Sequence, residues 1–302
     1  MASTDAGAPR GPMAWLTDLF SAGPAKPGDS FGAPGMGNST SIAIAMSIGI
    51  FIVWYLVTLP LFVPEGKPEG NLEPLIKPLF LPSPAEIWAK FVSVSTEGYQ
   101  DRTLWEHAQA SLGRIFGAFF LAAVMGVPIG IAMATNRVMR GVFDPPIEFY
   151  RPLPPLGYLP LTVIWFGIGE TQKLVLLFLA MFAPIVLNTR AGVRSVAIEQ
   201  IHAAYSLGAS RAQVLWHVIL KGAMPEILTG MRIGIGFGWT TLVAAELVAT
   251  EEGLGAMIMS ASEFLVTAVV IMGIVVIGII AYCFDLFMRW LEKKLVPWKG
   301  RV

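Results

Sequence analysis

Residues 195–225 read SVAIEQIHAAYSLGASRAQVLWHVILKGAMP, and their pattern sets the role of the apolar segments on either side. In the first half, Val196, Ile198, Ile201, Ala204, Tyr205 and Leu207 recur at helical spacing, with Glu199, Gln200 and His202 elsewhere. Gly208 follows as a helix C-cap, and Ser210 with Gln213 has the S-x-x-Q form of a capping box that starts a new helix. Val214, Leu215, Val218 and Ile219 then restore an apolar stripe, and Pro225 opens the next apolar run, where a missing N–H costs nothing. The stretch therefore predicts a helix–turn–helix elbow between much more apolar neighbours. Such an elbow is suited to carrying a push from outside a bilayer into it.

Those neighbours have the composition of membrane spans. Of 302 residues, 55% are hydrophobic and 14% charged, against about 25% charged in soluble domains. An all-α integral membrane protein is expected. The formal net charge is zero, which gives no footing for nucleic acid. Cys283 is the single cysteine, so no internal disulfide can form, and His107, His202 and His217 lack metal-ligand spacing.

Residues 1–41, rich in Gly, Pro, Ala and Ser, predict a flexible tail preceding a membrane domain over 42–302. Its island Met13, Ala14, Trp15, Leu16, Leu19, Phe20 fits a membrane-surface segment or a weakly ordered one equally well. Spans are expected at 42–62, 112–134, 147–166, 173–187, 227–248 and 266–291, the first long enough for a bilayer. Between the first two, residues 85–94 predict a short interfacial helix, and Thr103 starts the helix that becomes the second span. Residues 136–144 read as a short turn. The third span contains RPLPPLGYLP (151–160) and cannot be a regular helix, so it is expected to break and face a pathway. Pro184 is expected to interrupt the fourth. Arg137, Arg140, Arg190, Arg194, Arg211, Lys221 and the basic C-terminus then share one side, while 249–265 has no Lys or Arg. The positive-inside rule places the elbow and both termini in the cytoplasm.

Catalytic signatures are absent: no G-x-x-x-x-G-K-[ST], no H-E-x-x-H and no nucleophile elbow. Gly230, Gly234 and Gly238 recur every four residues, the small-xxx-small pattern by which membrane helices approach closely. Thr240, Thr241 and Glu246 follow on the same segment. The threonines suit a polar patch along a route, or hydroxyls bonded back to their own helix. Glu246 suits either a bundle interior or the water interface. In TEEGLGAM (250–257), Leu254 and Met257 beside the glycines suggest a partly buried gate.

Several of these stretches carry a family likeness. Ala203, Ala204 and Gly208 resemble the E-A-A-x-x-x-G loop of permease subunits in binding-protein-dependent ABC importers, with His202 in place of Glu and Lys221 in place of the usual Pro. Glu199, one turn earlier, could substitute for the missing carboxylate. RPLPPLGYLPLTVIWFGIGE (151–170), SLGASRAQVLWHVIL (206–220), PEILTGMRIGIGFGWTTLVAAEL (225–247) and the closing Pro297 and Trp298 are similar to the nitrate/sulfonate/taurine group.

The resemblance implies a six-helix type I ABC importer transmembrane domain whose elbow is a cytoplasmic coupling helix, with Glu199, His202, Ala203, Ala204, Leu207, Gly208 and Ser210 meeting an ATPase. It implies a homodimer in a bacterial inner membrane, two cytoplasmic ATPases holding ATP and Mg, and a periplasmic binding protein. No cofactor is expected on this chain. The implied cargo is a small organosulfonate, taurine first, with nitrate, cyanate or another small anion as alternatives. Tyr150, Arg151, Tyr158, Thr240, Thr241 and Glu246 are the expected pathway groups. A channel or self-sufficient carrier would have no use for the elbow, and a membrane enzyme would need more than the isolated Glu246.

Overall fold

The computed structural model describes residues 40–62, 73–248 and 250–298. The expected tail over 1–41, apart from its last two residues, lies outside them, as do Lys67, Lys299 and Arg301. Two compact units divide at Leu75 and Ile76.

The first unit holds α1 (Thr40–Thr58) and a scrap of antiparallel sheet, β1 (Pro60–Phe62) with β2 (Glu73–Pro74). α1 stops earlier than expected. Pro60 disfavours helix at the residue before it, and the Thr58 hydroxyl turns back to the Trp54 and Tyr55 carbonyls.

In the second unit, α2 (Pro84–Thr96) and α3 (Leu104–Thr135) both begin with complete capping boxes, Ser83 with Glu86 and Thr103 with Glu106. Both starts agree with the expected interfacial helix and second span. The expected turn at 136–144 is instead helical. Asn136 accepts hydrogen bonds from the Val138 and Met139 amides and so starts α4 (Arg137–Tyr150) at once. The helix tolerates Pro145 and Pro146 because the carbonyls left without donors, on Gly141 and Val142, belong to exposed residues.

The chain then breaks where RPLPP requires it, and α5 (Pro155–Phe166) restarts with Pro at its first position. At about 18 Å α5 is too short to cross a hydrocarbon layer alone. α6 (Glu170–Ser195) runs straight through Pro184, correcting the expected interruption. Ala180, whose carbonyl loses its donor to Pro184, is among the residues lining an open cavity, where irregular backbone is tolerated.

α6 is the axis of this unit. Leu176, Leu177, Met181, Ile185 and Val186 are fully buried on it. On one side Gly126 and Gly130 of α3 sit against Ile185, Val186 and Thr189; a Cβ on Gly130 would lie 2.7 Å from the Val186 carbonyl oxygen. On the other side Gly230, Gly234 and Gly238 meet Pro184, Asn188, Ile185 and Met181. Small residues on both neighbours let two backbones close on one helix.

α7 (Ile198–Ser206) is the first half of the elbow. The second half does not end before the next span. It continues as one helix, α8 (Arg211–Glu246), through a π-turn at Leu215–Ile219 and past Pro225. Pro225 is therefore interior to a helix rather than its opener. The 249–265 connection contains α9 (Leu254–Glu263), and α10 (Thr267–Leu295) closes the chain. Four helices, α3, α6, α8 and α10, are long and apolar enough to cross a membrane, and two shorter apolar helices accompany them among the described residues.

Candidate functional site

Three places hold most of the residues singled out by sequence, and α8 connects them. At its Arg211 end is the elbow. Gly208 takes φ +83°, its N–H donates to the Tyr205 carbonyl (2.9 Å), and the Ala209 N–H donates to the Ala204 carbonyl (3.1 Å). This is a complete Schellman cap. Two residues on, Ser210 N–H donates to Gln213 Oε1 (2.8 Å) and Gln213 N–H to Ser210 Oγ (3.4 Å), the expected capping box. With its C-terminal end satisfied locally, α7 fully buries no residue of its own, and Leu207 is 89% exposed. Glu199, His202 and Ala203 are exposed too. Neither Glu199 nor His202 has a hydrogen-bond or ion-pair partner among the described residues.

The Glu246 end is the reverse. Glu246 is 1% exposed, which decides for the bundle interior. Its carboxylate accepts from Ser111 Oγ (2.7 Å), Arg114 (2.8 Å) and the Gly255 N–H (2.7 Å). Arg114, 4% exposed, also forks onto Glu170 (2.7 and 2.8 Å) and donates to the Glu252 carbonyl (2.7 Å). Lys173 adds a 2.8 Å bond to Glu170. One guanidinium thus ties α3, the start of α6, the end of α8 and the segment before α9. A buried ion pair survives when its remaining donors and acceptors are met, and here they are.

The same cluster explains how α9 begins. Its first amides, on Gly253, Leu254 and Gly255, have no side-chain cap of their own. They are received by His107 Nδ1 (3.1 Å), Ser111 Oγ (2.8 Å) and Glu246. His107, Ser111 and Arg114 lie at i, i+4 and i+7, one face of α3. Both glycines are required by closeness: a Cβ on Gly253 would lie 2.5 Å from the Glu246 carboxylate, and one on Gly255 2.9 Å. Sequence reading missed His107, Ser111, Arg114 and Glu170. Three polar side chains on one face of a span were the available signal. Leu254 and Met257 are fully buried; Met259 faces the adjoining cleft, of about 900 Å³.

The third place is the α4–α5 break. Tyr150, Arg151 and Tyr158 meet there around a cavity of about 430 Å³, closed by α6 and by Ile233 and Phe237 of α8. Three of the six expected pathway groups are thereby brought together. The others are not among its lining: Thr240 bonds back to the Phe237 carbonyl (2.9 Å), Thr241 is buried, and Glu246 belongs to the ion cluster.

Comparison with known proteins follows the same lines. The family described as "Binding-protein-dependent transport system inner membrane component" matches residues 126–297. Among relatives, the taurine transport system permease protein TauC of Escherichia coli K12 is 58% identical over 265 residues, covering 86% of this chain and 91% of its own. The putative aliphatic sulfonates transport permease protein SsuC of Bacillus subtilis 168 is 35% identical, covering 73% of this chain and 78% of its own. An inward-facing structure of the MetNI methionine ABC transporter shares the fold, with a TM-score of 0.54 at 17% identity, covering 68% of this chain and 98% of that one. This chain belongs to the family of inner-membrane permease components of binding-protein-dependent ABC transport systems.

Proposed function

We propose that this chain is the permease subunit of an ATP-driven importer that moves a small organosulfonate, taurine first, from periplasm to cytoplasm by alternating access. The cargo assignment is supported by the likeness to TauC and SsuC. The coupling assignment is carried by one observation, the bare elbow. A helix that fully buries no residue in its own protein, closes its C-terminal end with its own Schellman cap and is followed by an 89% exposed leucine is built to be covered. The cover is a groove on a cytoplasmic ATPase, met by Glu199, His202, Ala203, Ala204, Leu207, Gly208 and Ser210.

Two copies of this chain, two ATPases and a periplasmic binding protein make the working unit, with both termini of the chain cytoplasmic. ATP and Mg bind the ATPases. Closure of the ATPase pair moves the elbows, and α8 carries that displacement into the bundle. ATP acts by favouring one of two arrangements, as a population shift requires.

Reconstitution with the ATPase and binding protein in liposomes tests this reading, the expected result being ATP-dependent taurine uptake. Gly208→Trp should leave hydrolysis running while uptake falls; undiminished uptake would count against the elbow. Glu199→Lys should weaken co-purification with the ATPase, and unchanged recovery would remove Glu199 from the contact.

A further inference from the structure

The cavity at the α4–α5 break has walls of two chemical kinds. Donors come from the connector. The Arg151 guanidinium has one distant partner, Glu148 at 3.9 Å, and the Tyr150 hydroxyl is buried beside the Ala183 backbone with no hydrogen bond of good geometry. The positive end of α5 starts at the same wall and adds to its preference for an anion.

Acceptors come from α6. Pro184 has no N–H to give the Ala180 carbonyl. Asn188 donates one Nδ2 hydrogen to the Pro184 carbonyl (2.8 Å), and its Oδ1 has no donor among the described residues. Ala180, Pro184 and Asn188 all line the space, and no carboxylate does. The volume falls within the range of small-molecule pockets.

We propose that this cavity is a transient two-ended site for a zwitterionic aminosulfonate. The sulfonate accepts from Arg151 and Tyr150, the ammonium donates to the Ala180 carbonyl and Asn188 Oδ1, and the Tyr158 ring covers the short carbon link. This rests on the import reading above and adds which group of the cargo each wall reads. Neutral acceptors suit passage. An ammonium held by a carbonyl and an amide is recognised, whereas a buried carboxylate would bind it too firmly to let it leave.

The test is ligand titration by saturation-transfer NMR on the purified permease–ATPase complex without binding protein, using taurine and ethanesulfonate, which lacks the ammonium. Taurine should bind about tenfold more tightly. Tyr150→Phe, which removes only a hydroxyl, and Arg151→Gln should weaken both solutes alike. Asn188→Leu should reduce taurine to the level of ethanesulfonate and leave ethanesulfonate unchanged. Equal loss of both solutes in Asn188→Leu, or no loss in either connector variant, overturns the proposal. ATP-driven taurine uptake in liposomes separates the two readings. Wild-type uptake with unaltered binding in every variant sinks the two-ended site alone, whereas absence of both uptake and binding sinks the import reading with it.

Discussion

The two ends of α8 follow opposite rules. At Glu246 the carboxylate has three donors, and the guanidinium beside it joins its own helix to three other segments. At Arg211 the preceding helix fully buries no residue, with only Ile201 and Ala204 half-buried, and its C-terminal end is shaped by its own Schellman cap. A lever needs this asymmetry: one end fastened to the load, the other free to be gripped. Between them lie the π-turn and Pro225, and π-turns inside α-helices are frequent at functional sites. The two ends differ in what a mutation should damage. Changes at the fastened end should unfold; changes at the free end should uncouple.

Arg114→Met is the most severe way to test the fastened end. It strands Glu246 in the interior with its charge unanswered, which should cost about 3–5 kcal/mol and lower the thermal midpoint of the detergent-solubilised permease. Adding Glu246→Gln should recover part of the loss, because the unpaired charge is then gone. A single variant as stable as the parent would mean that the ion cluster does not fasten α8.

The glycines give a matched pair. Gly253 and Gly208 both have positive φ, +140° and +83°. A Cβ on Gly253 enters the Glu246 carboxylate, whereas one on Gly208 meets nothing within 4 Å. Gly253→Ala should therefore cost about 3 kcal/mol, and Gly208→Ala only the left-handed penalty of about 1 kcal/mol. Equal midpoints for the two variants would erase the contrast.

This contrast also explains what the sequence disclosed. The elbow was legible because its caps are local: the Gly208 and Ala209 amides reach carbonyls three and five residues back respectively, and Ser210 and Gln213 bond each other. The helix break was legible because proline acts on its own chain. The fastened end joins Ser111 to Glu246 and His107 to Gly253 across more than a hundred residues, and no local pattern encodes that pairing. α9 escaped notice for the same reason, since its cap is supplied by other helices. Pro184 and Pro225 misled because prolines inside packed membrane helices are tolerated. At the break, Tyr150, Arg151 and Tyr158, whose neighbours are set locally, line one cavity. Thr240 and Thr241 depended on which way α8 is rotated, and that is set by the glycine stripe against α6.

His107 refines the picture at smaller scale. Its Nδ1 accepts from Gly253 and its Nε2 lies 3.2 Å from the Tyr99 carbonyl, which together require a neutral ring protonated at Nε2. His107→Leu leaves the Gly253 amide unmet and takes one of two donors from the Tyr99 carbonyl, which keeps the Arg102 N–H (3.3 Å), and should cost about 2 kcal/mol. His107→Gln can offer an acceptor and a donor and should lose less. If both lose the same, packing rather than hydrogen bonding holds this corner.

The smallest effect on stability belongs to Leu207, and there the comparison is sharpest. At 89% exposure the side chain touches almost nothing, so Leu207→Ala should move the thermal midpoint by no more than about 0.5 kcal/mol equivalent. Its contribution appears only when a partner covers it, where a buried leucine side chain is worth about 2 kcal/mol. The variant should therefore fold and insert as the parent does, yet recover less ATPase on co-purification and turn over less cargo per ATP. Leu254→Ala, at a leucine with no exposure, should reverse the pattern: a lower midpoint, with the surviving protein still gripping its ATPase. Should Leu207→Ala destabilise the isolated permease while leaving ATPase recovery intact, the elbow would be part of the fold, and the free end of the lever would have to be sought elsewhere on α8.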